Sequence, residues 1–348
     1  MGPLESVKRR WMLYALGGGL GHLTRVLAFA RAIVRPRADS TVSDHVCLLT
    51  NSPFAHLVPI AQELGADAHE LIKIPAGLSR DETEKRVHAA LKSRDYDLLV
   101  VDTFPRGLGG ELETALPQLS CPKILIHRDL SPKYCAAVDL VPSIREYDRL
   151  VMPGESAPFC DSSHAVLTAP WLMRDSQELL VPAAARKLLQ VDSSTLPVVV
   201  VIGCGQPNEI GRMRKAAVRL AEEFIFRAAI RFATLTDTAH RALSVEKSVT
   251  LHLWPLLQAI RGVDVVIGSG GYNTVNECVA TRTPLIGIAQ QRLYDRQELR
   301  LRSCNSLVKP GRLAEKLNEF LITARPHNRV APVYENGVHE AVKLVRSL

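Results

Sequence analysis

The sequence predicts an α/β protein made of two doubly wound domains, each built on a parallel sheet. The chain has 348 residues, of which 47% are hydrophobic, and single cores rarely grow beyond about 250–300 residues. Short runs of Val, Ile and Leu alternate with segments of helix length, which is typical of parallel strands covered on both faces. Each half of the chain opens with such a run followed by a glycine turn. Length, alternation and repeated turn therefore favour two similar domains.

The apolar runs predict the strands. In the first half they are Trp11–Leu16, His45–Thr50, Asp97–Asp102, Lys123–His127 and Arg149–Met152, and in the second half Pro197–Gly203, Ile230–Thr234, Val263–Gly268 and Pro284–Ile288. We expect an N-terminal domain over residues 1–167, an interdomain connection over 168–194, and a C-terminal domain over 195–332. Apolar residues at helical spacing predict a terminal helix within 333–348 that packs back on a neighbouring domain.

Charge and cysteine usage narrow the class of protein. The net charge of +7 is spread along the chain, without the basic cluster or aromatic platform of a nucleic-acid-binding protein. The seven cysteines lack metal-ligand spacing, which favours reduced thiols and no bound metal. No run reaches the roughly 20 apolar residues of a membrane span. We therefore expect a cytoplasmic protein with at most peripheral membrane contact.

The first glycine turn, Gly17 to His22, joins the first predicted strand to a helix that we expect to begin near Leu23. Glycines such as Gly19 and Gly21 let the backbone approach a ligand, and the start of the helix offers free N–H groups to an anion. His22 can exchange a proton near neutral pH. The same spacing also fits a histidine that only hydrogen-bonds the backbone, so the turn alone leaves both functions open.

The segment from Gly268 to Glu277 is the richest in the second half, and it follows a predicted strand and begins a helix. On that helix Asn273, Thr274 and Glu277 share a polar side, and the opposite, apolar face consists of Val275, Cys278 and Val279. The N–H groups from Gly270 to Asn273 suit a diphosphate, and the Glu277 carboxylate suits a ribose diol. The alternative is a capped helix whose glutamate is merely solvated.

A second polar loop follows the next predicted strand, with the sequence Asp295-Arg296-Gln297. Because both loops follow the carboxyl ends of neighbouring strands, we expect them to lie side by side. Their donors and acceptors would together surround a polyhydroxylated group.

These motifs in their order carry a resemblance. The run Gly268-Ser269-Gly270-Gly271, then Thr274-Val275 and Glu277, then Tyr294-Asp295-Arg296-Gln297, preceded by the segment 251–255, resembles the donor half of nucleotide-sugar glycosyltransferases of the GT-B fold. Among them it is similar to the N-acetylglucosaminyltransferase of peptidoglycan synthesis and to UDP-glycosyltransferases. The likeness covers residues 197–300 well and 11–31 recognisably, and implies two Rossmann-like domains facing across a cleft.

The resemblance implies a donor site in the second domain. Glu277 would bind the ribose, Asp295 and Gln297 the sugar, and the Leu253 backbone with Trp254 the base. The remaining residues would hold the diphosphate and the sugar: Gly203, Gly205, Gln206, Gly270, Gly271, Asn273 and Thr274. Two departures from the family pattern are Gly268, where an arginine is sometimes found, and Cys204, at an often polar position.

The resemblance also implies the chemistry. His22 would be the general base of an inverting, metal-independent hexosyltransferase without cofactor, and Asp102, at a strand end, would hold its productive tautomer; Gly19 and Gly21 would lie near the donor. A UDP-sugar is the expected donor, and the sequence leaves the acceptor unknown. A nucleotide-sugar hydrolase, a sugar epimerase and a non-catalytic nucleotide-sugar-binding protein are the alternatives, although we find no convincing set of the additional acidic groups that an epimerase would need.

Overall fold

A computed structural model describes residues 8–35, 43–191, 195–235, 249–323 and 332–348. The chain divides into two compact units, the first comprising Met1–Trp171 with Asn336–Leu348 and the second Leu172–Glu335. Each unit is built on one sheet in which every recorded strand pair is parallel. The predicted fold class is therefore confirmed.

The first unit holds a seven-stranded sheet. Its strands are β1 (Arg10–Ala15), β2 (His45–Thr50), β3 (His69–Lys73), β4 (Leu98–Asp102), β5 (Lys123–Ile126), β6 (Arg149–Pro153) and β7 (Ala165–Thr168). Their order in the sheet is β3-β2-β1-β4-β5-β6-β7. Its helices include α1 (Leu20–Val34), α2 (Ile60–Leu64), α3 (Arg80–Lys92), α4 (Pro132–Ala137) and α5 (Val141–Arg145), with 3-10 turns at Ala66–Ala68 and Leu116–Gln118.

The strand order reverses between β1 and β4, which are hydrogen-bonded neighbours. Connections leave this point in opposite directions, and doubly wound sheets bind ligands outside the carboxyl ends of their strands at such a point. We call this the first switch point. The loop after β1 contains the Gly17 turn, and β4 ends at Asp102.

The second unit holds a five-stranded sheet. Its strands are β8 (Val198–Gly203), β9 (Ala229–Thr234), β10 (Val249–His252), β11 (Val265–Gly268) and β12 (Leu285–Gly287), in the order β10-β9-β8-β11-β12. Its helices are α6 (Pro182–Leu188), α7 (Pro207–Glu223), α8 (Tyr272–Ala280), α9 (Gln297–Ser303) and α10 (Leu313–Thr323), with 3-10 segments at Ser176–Glu178, Leu256–Gly262 and Pro310–Arg312. The order reverses between β8 and β11, which we call the second switch point.

The C-terminal helix α11 (Val338–Arg346) belongs to the first unit. Its apolar side, formed by Val338, Ala341, Val342 and Val345, is buried as its spacing predicted. Arg346 Nη2 donates to Asp44 Oδ2 at 2.9 Å and to the Ile33 carbonyl oxygen at 2.8 Å. Asp44 is buried and also accepts the indole N–H of Trp11 at 3.2 Å. Helix α11 is therefore fixed to the first unit by packing and by a buried ion pair.

Three strands, the start of one helix and the face of another differ from the sequence predictions. Strands β3 and β7, at opposite edges of the first sheet, and β10, at one edge of the second, were not predicted, because each has only four or five residues and at most one of them is buried. Helix α1 begins at Leu20 rather than near Leu23. Val279, placed on the apolar face of α8, is 56% exposed, whereas Val275 and Cys278 are buried. Across the described ranges, no helix combines the length and apolar character needed to cross a membrane.

Candidate active site

The glycine turn after β1 positions His22 on the first turn of α1. A Cβ on Gly17 would lie 2.7 Å from both Cγ and Nε2 of the His22 ring, so only glycine lets the imidazole lie against this backbone. Asn51 fixes the turn, because its Oδ1 accepts the Gly17 N–H at 2.8 Å. At Gly18, Gly19 and Gly21 an added Cβ would meet no atom within 4 Å, so this part of the turn is open.

His22 is paired with Asp102 across the first switch point. The His22 Nδ1 and Asp102 Oδ2 atoms are 2.6 Å apart, with the His22 side chain 21% exposed and Asp102 fully buried. Phe104 stacks on the imidazole with a centroid distance of 5.5 Å. Such a bond fixes both the orientation and the tautomer of the ring, and leaves Nε2 as its other polar atom. Within the described ranges, no hydrogen bond to Nε2 is found. The two predicted catalytic residues are thus adjacent.

Asp102 has two further partners that the sequence analysis missed. Arg25, one turn after His22, donates from Nε to Asp102 Oδ1 and from Nη2 to Oδ2, both at 2.7 Å. Thr103 Oγ1 lies 3.2 Å from Oδ2. Burial alone would raise the pKa of the Asp102 carboxyl, but the Arg25 charge and the hydrogen bonds from His22 and Arg25 hold that pKa well below its usual value. The i,i+3 spacing of His22 and Arg25 was the signal available in the sequence.

In the second unit, helix α8 begins directly after β11 at the second switch point. Its N-cap, Gly271, supplies no side-chain cap, and a Cβ there would come no nearer than 3.7 Å to Ser269 Oγ. Gly270 has a packing role, because a Cβ there would lie 2.6 Å from the Gln297 carbonyl oxygen. Asn273 is half-buried and Thr274 is buried. The start of α8 therefore has open backbone at Gly271 and close packing at Gly270.

Glu277 lies one turn into α8 and is 8% exposed. Burial raises the pKa of its carboxyl to about 8, and the charge of Arg174 offsets only part of that effect. In the part of the chain that the structure describes, no hydrogen bond to this carboxyl is found. Glu277, on the polar side of α8, is therefore not a solvated residue, and its carboxylate form needs hydrogen-bond donors.

The glycine loop after β8 is shaped by packing and by an ion pair. A Cβ on Gly203 would lie 2.6 Å from Cε2 of Phe232, and Gly205 has a φ of +105° that favours glycine. Glu209, in the first turn of α7, accepts the Gln206 N–H at 2.8 Å and binds Arg292 through both of its oxygens, one at 2.6 Å. Sequence reasoning missed this pair because its members are 83 residues apart.

The second polar loop lies against the start of α8, as the strand order predicted. Arg300 donates from Nη1 to the Gly270 carbonyl oxygen at 2.7 Å and from Nη2 to Asp295 Oδ1 at 3.0 Å. Gln297 is buried, and its Oε1 accepts the Gln290 N–H at 3.1 Å. Arg300 and Gln297 thus connect the two loops, and the Asp295 carboxylate is already ion-paired.

Leu253 and Trp254 lie between β10 and the 3-10 segment Leu256–Gly262, and both are half-buried. The structure places this segment in the second unit, with β10 at the edge of the sheet. Most residues predicted for the donor site thus lie in the second unit, whereas two of them, Gly19 and Gly21, lie with His22 and Asp102 in the first.

Comparison with known proteins reveals no relative by sequence. No family model matches the chain, and no curated protein matches it significantly. Solved structures do match. The UDP-GlcNAc 2-epimerase of Neisseria meningitidis, bound to UDP-GlcNAc, is 13% identical with a TM-score of 0.66, and the match covers 97% of this chain and 98% of that one.

Two solved transferase structures match over the same extent. MurG of Acinetobacter baumannii is 14% identical with a TM-score of 0.57, over 98% of this chain and 100% of that one. The Streptomyces glycosyltransferase SsfS6, complexed with thymidine diphosphate, is 14% identical with a TM-score of 0.56, over 98% and 100% of the two chains. At these identities the likeness establishes the architecture: the chain has the GT-B fold, as the motifs predicted.

Proposed function

We propose that this protein is a glycosyltransferase that moves a sugar from a nucleotide-sugar to an acceptor hydroxyl and inverts the anomeric carbon. The expected donor is a UDP-sugar. The observation that carries the proposal is the 2.6 Å contact between His22 Nδ1 and Asp102 Oδ2 at the first switch point. A buried carboxylate on one ring nitrogen leaves the other free to take a proton, which is the arrangement of a general base. The fold shared with glycosyltransferases supports the same reaction class.

In the proposed step, His22 Nε2 removes the proton from the acceptor hydroxyl as its oxygen attacks the anomeric carbon. The new C–O bond forms as the bond between the anomeric carbon and the diphosphate oxygen breaks, and the electron pair leaves on the nucleoside diphosphate. A single displacement inverts the anomeric carbon. Asp102 stabilises the imidazolium that forms.

The second unit would hold the donor. Glu277 supports this assignment, because a buried carboxyl with a raised pKa and no hydrogen bond among the described residues is suited to the two hydroxyls of a ribose. The open Gly271 backbone at the start of α8 would receive the diphosphate, since helix N-termini favour anions. Two matched structures were solved with UDP-GlcNAc and thymidine diphosphate, which supports a nucleoside diphosphate group.

The remaining assignments belong to the same proposal. Asn273 and Thr274 would assist at the diphosphate, Asp295 and Gln297 at the sugar, and Leu253 and Trp254 at the base. The backbone of Gly203, Gly205 and Gln206 would complete the donor site. We further propose that helix-start amides stabilise the leaving diphosphate without a metal ion. Turnover that persists unchanged in excess chelator would support this step, and turnover restored only by a divalent cation would contradict it.

The test is a screen of UDP-, dTDP- and GDP-sugars on the wild-type protein, Glu277→Gln and the surface control Glu298→Gln. Thermal stabilisation and released nucleoside diphosphate are read together. We expect stabilisation by one nucleotide in the wild type and in Glu298→Gln, and its loss in Glu277→Gln.

The product then identifies the reaction. Release of nucleoside diphosphate that depends on an added acceptor supports transfer. Release in water alone indicates a hydrolase, conversion of the sugar to its epimer indicates an epimerase, and stabilisation without consumption indicates a binding protein. No response to any nucleotide-sugar would contradict the proposal.

A further inference from the structure

Arg25 is the least expected component of the first switch point. It lies on α1 one turn after His22 and is 1% exposed, which is rare for a guanidinium. Its Nε donates to Asp102 Oδ1 and its Nη2 to Asp102 Oδ2, both at 2.7 Å. The same Nη2 also donates to Thr103 Oγ1 at 2.8 Å. The Asp102 carboxylate and the neighbouring Thr103 hydroxyl thus bind the end of a long, flexible side chain.

This arrangement fixes the plane of the carboxylate. The terminal torsion of an aspartate is broad, so a carboxylate held by one donor can rotate. A guanidinium fork binds both oxygens at once and removes that freedom. Asp102 Oδ2 also lies 2.6 Å from His22 Nδ1. The orientation that Arg25 imposes on the carboxylate therefore determines where the imidazole is held.

The backbone after β4 contributes to the same geometry. Thr103 has a φ of +69°, a left-handed conformation that is costly for a β-branched residue. Its N–H nevertheless bonds the Ile126 carbonyl oxygen at 2.9 Å, and its hydroxyl lies between Arg25 and Asp102. Backbone strain at this position is typical of a site whose surroundings over-determine one conformation.

We propose that Arg25 is a positioning residue for the general base, holding the Asp102 carboxylate so that the His22 tautomer with Nδ1–H and an unprotonated Nε2 is the one present. The catalytic consequence of this inference rests on the proposed function. The tautomer of His22 does not depend on that function and can be measured without a substrate. The competing explanation is that Arg25 only neutralises a buried charge and supports the fold.

The experiment compares Arg25→Met, Arg25→Lys and the control Arg31→Met, all on α1. Arg31 is also ion-paired, with Nε 2.8 Å from Glu63 Oε2 and both side chains largely buried, but it is two turns away from Arg25. The control therefore reproduces the loss of a helix-borne ion pair without touching Asp102. Thermal melting confirms that each variant is folded before it is used.

The first readout needs no substrate. With 15N-labelled histidine at about pH 8, where neutral imidazole predominates in model compounds, the His22 signals are assigned by their absence in His22→Ala. We expect Nδ1 protonated in the wild type and in Arg31→Met, a shift towards the Nε2–H tautomer in Arg25→Met, and an intermediate result in Arg25→Lys, whose ammonium lacks the fork.

The second readout is kinetic. Loss of a general base costs roughly 10²–10⁴-fold, so we expect the loss of its positioning to lower kcat about 10–100-fold in Arg25→Met, with the donor KM within about twofold of wild type. Arg25→Lys should recover part of kcat, and Arg31→Met should keep all of it.

The outcomes separate the two hypotheses. A folded Arg25→Met with an unchanged tautomer and unchanged kcat would overturn the positioning role. If the wild type turned over no nucleotide-sugar, the proposed function would fail while the tautomer readout still decided the role of Arg25. A changed tautomer with unchanged kcat would leave the geometry correct and overturn its catalytic consequence.

Discussion

Two buried carboxyls, one at each switch point, have opposite environments. Asp102 is fully buried and receives hydrogen bonds from His22, Arg25 and Thr103, and its pKa is held well below the usual value despite burial. Glu277 is 8% exposed, no hydrogen bond reaches it from the described residues, and burial raises its pKa to about 8. The Asp102 carboxylate has its hydrogen-bond donors within its own unit, and the Glu277 carboxyl is suited to a ligand that supplies hydrogen-bond donors.

The difference has a thermodynamic consequence. Asp102 binds its proton less readily in the folded state than in the unfolded chain, so its contribution to the free energy of unfolding is present above about pH 4 and is lost as pH falls. Glu277 holds its proton more tightly when folded, so stability is lost as pH rises from about 4.5 to about 8. The two sites respond to pH in opposite directions.

Removing the satisfied carboxylate should have the largest effect. Asp102→Asn leaves the Arg25 guanidinium buried without its counter-charge, which costs about 3–5 kcal/mol in comparable buried pairs, and it offers His22 an amide that can stabilise the wrong tautomer. We expect kcat to fall about 10³-fold and the free energy of unfolding in urea to fall by about 3 kcal/mol.

Asp44→Asn is the matched control for that change, because Asp44 is also buried and ion-paired, to Arg346, within the first unit. It should lose stability but keep kcat within about twofold, since the pair is structural. An equal loss of kcat in both variants would mean that Asp102 acts only through stability.

Neutralising the unsatisfied carboxyl should stabilise the protein above neutral pH. One pKa unit corresponds to about 1.4 kcal/mol of differential stability. As pH rises from 4 to 9, the free energy of unfolding of Glu277→Gln should therefore increase relative to that of the wild type by up to about 5 kcal/mol. Chemical denaturation at several pH values measures the difference. A pH-independent difference would show that Glu277 titrates as an ordinary surface residue.

The same residue should make nucleotide affinity depend on pH. Only the ionised carboxylate accepts both ribose hydroxyls, so wild-type affinity should weaken as pH falls below about 8, by up to about tenfold per unit. At pH 9 we expect Glu277→Gln to bind the nucleotide about 10–100-fold more weakly than the wild type, because charge-assisted hydrogen bonds to the ribose are lost. Titration calorimetry checks both, and equal pH profiles in the two proteins would contradict ribose binding by Glu277.

Displacing the His22 ring should have the smallest effect of the series. Gly17→Ala places a methyl group in the space of the imidazole, whereas Gly18→Ala adds one in open space. We expect kcat to fall about tenfold in Gly17→Ala, because small misplacements of a catalytic group are costly, and to change less than twofold in Gly18→Ala. Steady-state kinetics compares the two variants, and equal activities would mean that the ring tolerates displacement.

The sequence was sufficient where structure depends on local pattern. Continuous apolar runs identified the central strands, and the glycine-rich turns after them were recognised from consecutive residues. The strand order, which places those turns at the two switch points, came from the structure. Strands β3, β7 and β10 escaped prediction because they are short and largely unburied, whereas the edge strand β12 lies in a continuous apolar run and was predicted. Arg25, Arg292 and Gly17 escaped because their roles depend on partners or on ring placement that only the folded chain brings together.

The central claim is that the first unit supplies the base and the second holds the donor, and it is tested most directly by His22→Ala and Glu277→Gln measured for both donor Kd and single-turnover rate. We expect His22→Ala to keep Kd within about twofold and to lose at least about 100-fold in rate. At pH 9, Glu277→Gln should weaken Kd about 10–100-fold and keep most of the rate at saturating donor. A His22→Ala protein that loses donor binding, or that retains its rate, would contradict the account.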